Sequence, residues 1–142
     1  MNGFDNYLVL KTRAKSCNEQ FLRTAVASFC VGLEPTIEEI NDIKTAVSEA
    51  VTNCIVHGYE GKDDGEITCN VFLQDKKVTI EVIDFGIGID DIERAKKPFY
   101  TTKSNEERSG MGFCVMEALM TSVTVEKNAT AGITVRMTKM IE

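Results

Sequence analysis

The 142-residue chain has little positive charge to spare: 16 Lys and Arg stand against 22 Asp and Glu, a formal net charge of −6. A protein that grips the nucleic-acid backbone presents a basic stripe or patch, and none is found, so no direct nucleic-acid contact is expected. No apolar run approaches the length of a membrane span and the first residues lack an apolar signal core, which points to a cytoplasmic protein without a membrane partner. The five cysteines, Cys17, Cys30, Cys54, Cys69 and Cys114, include no C-x-x-C or similar ligand pair. Each falls in an apolar periodic segment, the placement of small core residues in a reduced protein rather than of a disulfide framework. There is no internal repeat or low-complexity segment, and only one histidine, His57.

What is present suffices for one ordinary domain over residues 1–142, since a hydrophobic fraction of 43% can bury a core without staples. Residues 7–13, YLVLKTR, read as an opening strand. A first helix follows in CNEQFLRTAVASFCVGL, with Phe21, Ala25, Val26 and Phe29 at helical spacing and Gly32 as its stop. Thr36 and Glu39 form a T-x-x-E capping box after Pro35. The apolar positions Ile37, Ile40, Ile43, Val47, Ala50, Val51, Cys54 and Ile55 then predict a long second helix ending near His57, capped by Gly58. ITCNVFLQ and KVTIEVID alternate and reverse at Asp75 and Lys76, a hairpin. Residues 86–110 are polar and irregular apart from a short helix expected at 90–96; FCVMEALM is helical, and SVTVEK with GITVRMTKM closes the fold as a second hairpin. The order βααββ(α)αββ implies an α+β sandwich, an antiparallel-rich sheet with helices on one face. The 25-residue polar stretch is too long for an ordinary connection and is expected to be functional or mobile.

Residues 49–58 read EAVTNCIVHG, which sets Glu49, Asn53 and His57 four apart. Such residues drift by only about 40° per step around an α-helix, so the three project from adjacent parts of one face. Glu and Asn offer hard oxygen donors, suited to Mg²⁺ held with phosphates and water, and the carboxylate could equally take a proton from an attacking hydroxyl. Taken alone, the same column reads as the solvated edge of an amphipathic helix. His57, beside a glycine, reads as a partner of the last helix carbonyls rather than a catalyst.

After the second strand of the first hairpin comes DFGIGI. Two glycines there would let backbone approach a flat ligand, and Asp84 could accept a hydrogen bond from an exocyclic amine such as that of adenine; a simple turn ending the strand is the alternative. The letters DFG also occur in eukaryotic-type protein kinases, but the H-R-D loop, the V-A-I-K lysine and the upstream glycine-rich loop are missing. Farther on, PFYTTKSNEERSGMGF gathers Thr101, Thr102, Lys103, Arg108, Gly110 and Gly112 at a helix start. Helix-start N–H groups and cations suit a triphosphate, though a flexible loop with a glycine-led helix has the same letters.

In this order, E-x-x-x-N, D-x-G-x-G and G-x-G-F resemble the GHKL ATPase superfamily of gyrase, Hsp90, histidine kinase and MutL ATP-binding domains. NEQFLRTAVASF, IKTAVSEAVTNCIVHGYE, VIDFGIGI, PFYTTK and ERSGMGF are similar to its serine kinase and anti-sigma factors, above all the sporulation anti-sigma F group of spore-forming Firmicutes. The resemblance spans nearly the whole chain. It implies a Bergerat fold, a two-layer sandwich with a mixed, mostly antiparallel sheet. It implies ATP or ADP with Mg²⁺ as cofactors: Asn53 on the metal, Glu49 as catalytic base, and Asp84, Gly86 and Gly88 around adenine. Thr101, Thr102, Lys103, Arg108, Gly110 and Gly112 would belong to a lid at about 97–111, with Arg108 reading the γ-phosphate.

The resemblance also implies partners. Arg23 matches an exposed arginine that contacts both a sigma factor and its antagonist, and the protein would be a homodimer. The ATP form would sequester a sporulation sigma factor until an anti-anti-sigma antagonist displaces it and is phosphorylated on serine. An ATP-responsive sigma-binding module with little kinase activity is the alternative, against which Glu49 weighs. A sensor histidine kinase catalytic domain would need a phospho-accepting histidine elsewhere, and a foldase or topoisomerase-like ATPase would need transducer domains; neither fits the residues available.

Overall fold

The computed structural model describes residues 5–62, 64–86 and 112–142. Strand β1 (Asn6–Arg13) leads into helix α1 (Ser16–Cys30), which tightens into a 3₁₀ turn, Val31–Leu33. Gly32 lies within that turn; the chain leaves helical geometry two residues later, where Glu34 takes φ 55°. Helix α2 (Ile37–Asn53) starts at the expected capping box: the Glu39 N–H donates to Thr36 Oγ1 at 3.1 Å, and the Thr36 N–H to Glu39 Oε1 at 2.8 Å. This satisfies two N-terminal donors that the helix cannot bond itself. Strands β2 (Glu66–Gln74) and β3 (Lys77–Asp84) reverse at Asp75 and Lys76, as the alternation implied. Helix α3 (Gly112–Leu119), β4 (Ser122–Lys127) and β5 (Ile133–Met140) complete the described elements. The short helix expected at 90–96 lies outside the described residues.

The sheet runs β1-β2-β3-β5-β4. Among the described residues every ladder is antiparallel, so the mostly antiparallel sheet expected from the resemblance contains no parallel pairing there. Period-two alternation sends Ile67, Cys69, Val71 and Leu73 of β2, Val78, Ile80 and Val82 of β3, and Val135 and Met137 of β5 to one face. Against it pack Leu22, Val26 and Cys30 of α1, Ile43, Val47, Ala50 and Val51 of α2, and Phe113 and Met116 of α3. Each large apolar side chain among them contributes about 1.5–3 kcal/mol of hydrophobic stabilisation, which makes the helix–sheet seam the principal fastening of the fold.

Two core expectations shift. On α1 the buried column is Leu22, Val26 and Cys30, while Phe21 is 53% exposed: the neighbouring column of the helix faces the sheet. Ile37, at the first position of α2, precedes the packed region and is 81% exposed. The opposite face of the sheet carries a polar ladder in which Asn70 donates to Glu81, and Arg136 binds Glu81 through Nε and Nη2 at 3.0 and 2.8 Å. Lys139 anchors β5 to α2 and α3, reaching Asp42 Oδ2 at 3.1 Å and the Leu119 carbonyl at 2.6 Å. No described helix is long and apolar enough to cross a membrane.

Candidate functional site

The polar column of α2 meets the start of α3. A Cβ placed on Gly112 would stand 3.1 Å from Asn53 Nδ2, 3.3 Å from its Oδ1 and 3.2 Å from Glu49 Oε2. Glu49 and Asn53 are far from Gly112 in the chain yet form one wall with it, and glycine at 112 leaves the two polar heads room. Glu49 and Asn53 are both half-buried.

His57 departs from the column. After Asn53 the helix widens into a π turn, Cys54–Gly58, in which the Tyr59 N–H donates to the Cys54 carbonyl at 2.9 Å. Residues five rather than four apart align there, so the four-residue register stops at Asn53. The expected cap at Gly58 is also replaced: the left-handed residues at this end are Glu60 and Gly61, with φ 55° and 79°. Gly58 has a different reason to be glycine, because a Cβ on it would come within 2.9 Å of Asp84 Cγ.

Asp84, at the end of β3, is 1% exposed. Its Oδ1 accepts the Gly86 N–H at 3.0 Å, while Oδ2 is buried with no hydrogen-bond partner among the described residues. Burial raises its pKa above the ordinary carboxylate range, and the Gly86 N–H, the Cys54 thiol and the Ile133 N–H act in the opposite direction. Glycines enclose it on several sides. Any Cβ on Gly86 would fall 1.8 Å from the Gly58 carbonyl oxygen, and one on Gly132, which has φ +79°, would fall 2.1 Å from the Asp84 carbonyl oxygen. The backbone thus crowds the carboxylate so closely that only hydrogen fits at these positions.

A buried, unsatisfied acceptor costs about 1–3 kcal/mol, more when charged, so its presence calls for an explanation, and a donor arriving from outside is one. The chemistry of Oδ2 fits an exocyclic amine, as the D-x-G-x-G segment suggested. Glu49 and Asn53 supply oxygen donors near one another, which fits a hydrated divalent cation shared with phosphates.

Sequence reading missed the supports of Asp84. Tyr59 accepts the Phe85 N–H at 2.7 Å and donates to the Glu66 carbonyl, stitching the end of α2 to β2 and β3. Asn128 donates to the Asp84 carbonyl at 2.8 Å. The tyrosine directly after the glycine of HGY, and the N-x-x-x-G of the β4–β5 turn, were the available signals. Arg23 is half-buried rather than freely exposed: its Nη1 lies 3.2 Å from Glu19 Oε2 and 3.3 Å from Ser48 Oγ, and its buried Nε has no partner among the described residues. Gly88, Thr101, Thr102, Lys103, Arg108 and Gly110, with the whole of the lid expected at about 97–111, lie outside the described residues. Three of the five cysteines are core residues as expected, Cys30, Cys54 and Cys69, whereas Cys17 near the start of α1 is exposed and Cys114 is only partly buried; none of the five forms a disulfide, and burial pushes Cys30 and Cys69 up to about 12 and raises Cys54 as well.

Comparison with known proteins agrees with this architecture. Residues 15–139 match the histidine kinase-like ATPase domain family. An anti-sigma F factor of Caldanaerobacter subterraneus subsp. tengcongensis is 56% identical over 138 residues, 97% of this chain and 96% of the relative. Proteins of the same name from Clostridium botulinum and Bacillus velezensis are 52% and 49% identical, over 96% and 94% of this chain and 95% and 92% of theirs. Among solved structures, the RsbU and RsbW domains of a Mycobacterium tuberculosis protein superpose with a TM-score of 0.66 at 22% identity, covering 96% of this chain and 32% of that one. The catalytic domain of the histidine kinase ThkA gives 0.59 at 14%, covering 96% of each chain. These two establish likeness of fold. The chain belongs to the histidine kinase-like (GHKL) ATPase family, in the group of the anti-sigma F factors.

Proposed function

We propose that the protein is an ATP-dependent serine kinase and anti-sigma factor, which holds a sporulation sigma factor and phosphorylates the antagonist that frees it. The observation that carries the proposal is the wall formed by Glu49, Asn53 and Gly112. It joins a carboxylate to an oxygen donor at the start of a helix, whose N–H groups favour phosphate. Asp84, with its unused acceptor, supplies a separate point of attachment for the base.

In this reading Asp84 holds the adenine amine, with Gly86 and Gly88 giving the ring close access to backbone. Asn53 would hold Mg²⁺, which would offset phosphate charge. Thr101, Thr102, Lys103, Arg108, Gly110 and Gly112 would belong to the lid over the phosphates, and Arg108 would distinguish ATP from ADP through a γ-phosphate contact available in only one state. Glu49 takes the proton of the antagonist serine as its oxygen attacks the γ-phosphorus. The bond from that phosphorus to the β–γ bridging oxygen breaks, leaving phosphoserine and ADP. Positioning and electrostatics supply most of the rate.

Arg23 is the proposed contact for sigma factor and antagonist. Its Glu19–Ser48 bracket would present the guanidinium at the α1–α2 seam, where the buried Nε has no partner among the described residues. The protein acts in the cytoplasm as a homodimer. Purified protein with Mg²⁺, γ-labelled ATP and the antagonist encoded by the same organism tests the proposal. Label on an antagonist serine is the expected result; tight ATP binding without transfer would leave a sequestering module and remove Glu49 from the role of base.

A further inference from the structure

We propose that Asn128 is a positioning residue for nucleotide selectivity: from the β4–β5 turn it fixes the strand end that carries Asp84. The inference rests on the reading of Asp84 as the base acceptor and assigns a role to a turn that is not part of the phosphate wall.

The geometry is a bracket built on one side-chain amide. Asn128 Nδ2 donates to the Asp84 carbonyl at 2.8 Å and to the Ala131 carbonyl at 2.9 Å. Its Oδ1 accepts the Thr134 hydroxyl at 2.6 Å, which leaves the amide one orientation. The Asn128 N–H also donates to the Gly132 carbonyl at 3.0 Å, closing the turn on itself. The turn then presses on Asp84 from behind. A Cβ on Gly132, which has φ +79°, would strike the Asp84 carbonyl oxygen at 2.1 Å and stand 2.7 Å from the carboxyl Oδ1.

The position matters because β3 ends here. The β2–β3 ladder reaches Asp84 through its pairing with Ile67, whereas the β3–β5 ladder stops one residue earlier, at Ile83 and Thr134. On the β5 side the Asp84 carbonyl is therefore bonded by an asparagine side chain instead of a strand neighbour. Without it, the carboxylate that must meet an incoming amine within a few tenths of an ångström would hang from a strand held on one edge. Loss of the bracket weakens the contact that reads the base and leaves the Glu49–Asn53–Gly112 wall intact.

The test is calorimetric titration of the purified protein with ATP, GTP and inorganic tripolyphosphate, each with Mg²⁺. Asn128→Ala should weaken ATP binding about tenfold, the scale of one lost buried hydrogen bond and the disorder it releases. Tripolyphosphate affinity should stay within about twofold and the preference for ATP over GTP should shrink. Thr134→Val removes only the hydroxyl that orients the amide; it should move the same ratio in the same direction by a smaller factor, and it carries the test if Asn128→Ala does not fold. Thr36→Ala, which destabilises the distant start of α2, should leave the ratio unchanged. An unaltered ATP-to-GTP ratio in folded Asn128→Ala and Thr134→Val overturns the inference while leaving the function of Asp84 standing. A wild-type protein that binds ATP no better than GTP removes base reading by Asp84 and the inference together.

Discussion

Replacing Asp84 by asparagine separates the cost of the proposed base acceptor from its use. The substitution keeps size and the oxygen that accepts the Gly86 N–H, and removes a charge from a site that is 1% exposed and has no partner at Oδ2 among the described residues. Burial raises the pKa of Asp84 in the folded state. A raised folded value means that folded protein binds this proton more tightly than unfolded chain does. The contribution therefore favours folding below the unfolded value of about 3.9 and is lost as pH rises through the folded value. At neutral pH the wild type has lost that contribution. The substituted amide is neutral at every pH, so nucleotide-free Asp84→Asn should be more stable near pH 7 by about 1–3 kcal/mol, a few degrees in Tm for a domain of this size. Nucleotide binding should move the other way. The amide nitrogen at the place of Oδ2 confronts the adenine amine donor to donor, and losing a hydrogen bond to a charged group costs about 1.5–3 kcal/mol, or about 10- to 150-fold in Kd. Thermal unfolding from pH 4 to 8 together with calorimetric titration of ADP reads both quantities. Lower stability at pH 7, or wild-type ADP affinity in a folded variant, would show that Asp84 is a structural carboxylate.

Other outcomes are as definite. Glu49→Gln should retain ATP binding and slow phosphate transfer to the antagonist by about 10²- to 10⁴-fold in a single-turnover assay; full transfer refutes the base. Gly132→Ala should cost at least about 2 kcal/mol in urea unfolding, because φ +79° and a contact at 2.1 Å act together, whereas Gly32→Ala, with nothing within 4 Å, should be close to neutral. Thiol titration with a disulfide reagent at pH 8 should modify Cys17, and Cys114 more slowly, while Cys30, Cys54 and Cys69 react only on unfolding.

The sequence displayed the parts of this molecule that depend on local pattern. The Thr36–Glu39 box and the Asp75–Lys76 reversal are signals spanning a few residues, and both stand as read. The helical stripe of α1 was legible only to within one column, since Phe21 and Leu22 are both apolar and tertiary packing chose Leu22. In the site, the Glu49–Asn53 pair followed from helical periodicity, but its meeting with Gly112 is a contact across the fold that spacing alone does not contain. Asn128 was hidden for the same reason, as its partner Asp84 lies 44 positions away.

The π turn shows why these long-range contacts and the local sequence belong to one design. Continued as an α-helix, α2 would keep its four-residue register through His57. The wider turn Cys54–Gly58 breaks that register, and in the structure it sets a side-chain-free Gly58 against the Asp84 carboxyl group and the Cys54 thiol beside it. Tyr59, the next residue, then ties the Phe85 N–H to the Glu66 carbonyl. One irregular turn thus couples the wall at Glu49 and Asn53 to the acceptor at Asp84 through a few residues of continuous chain. π turns are rare and are found frequently at functional sites. Here the turn fixes the spacing between the two groups that, in the proposed reaction, hold opposite ends of one nucleotide.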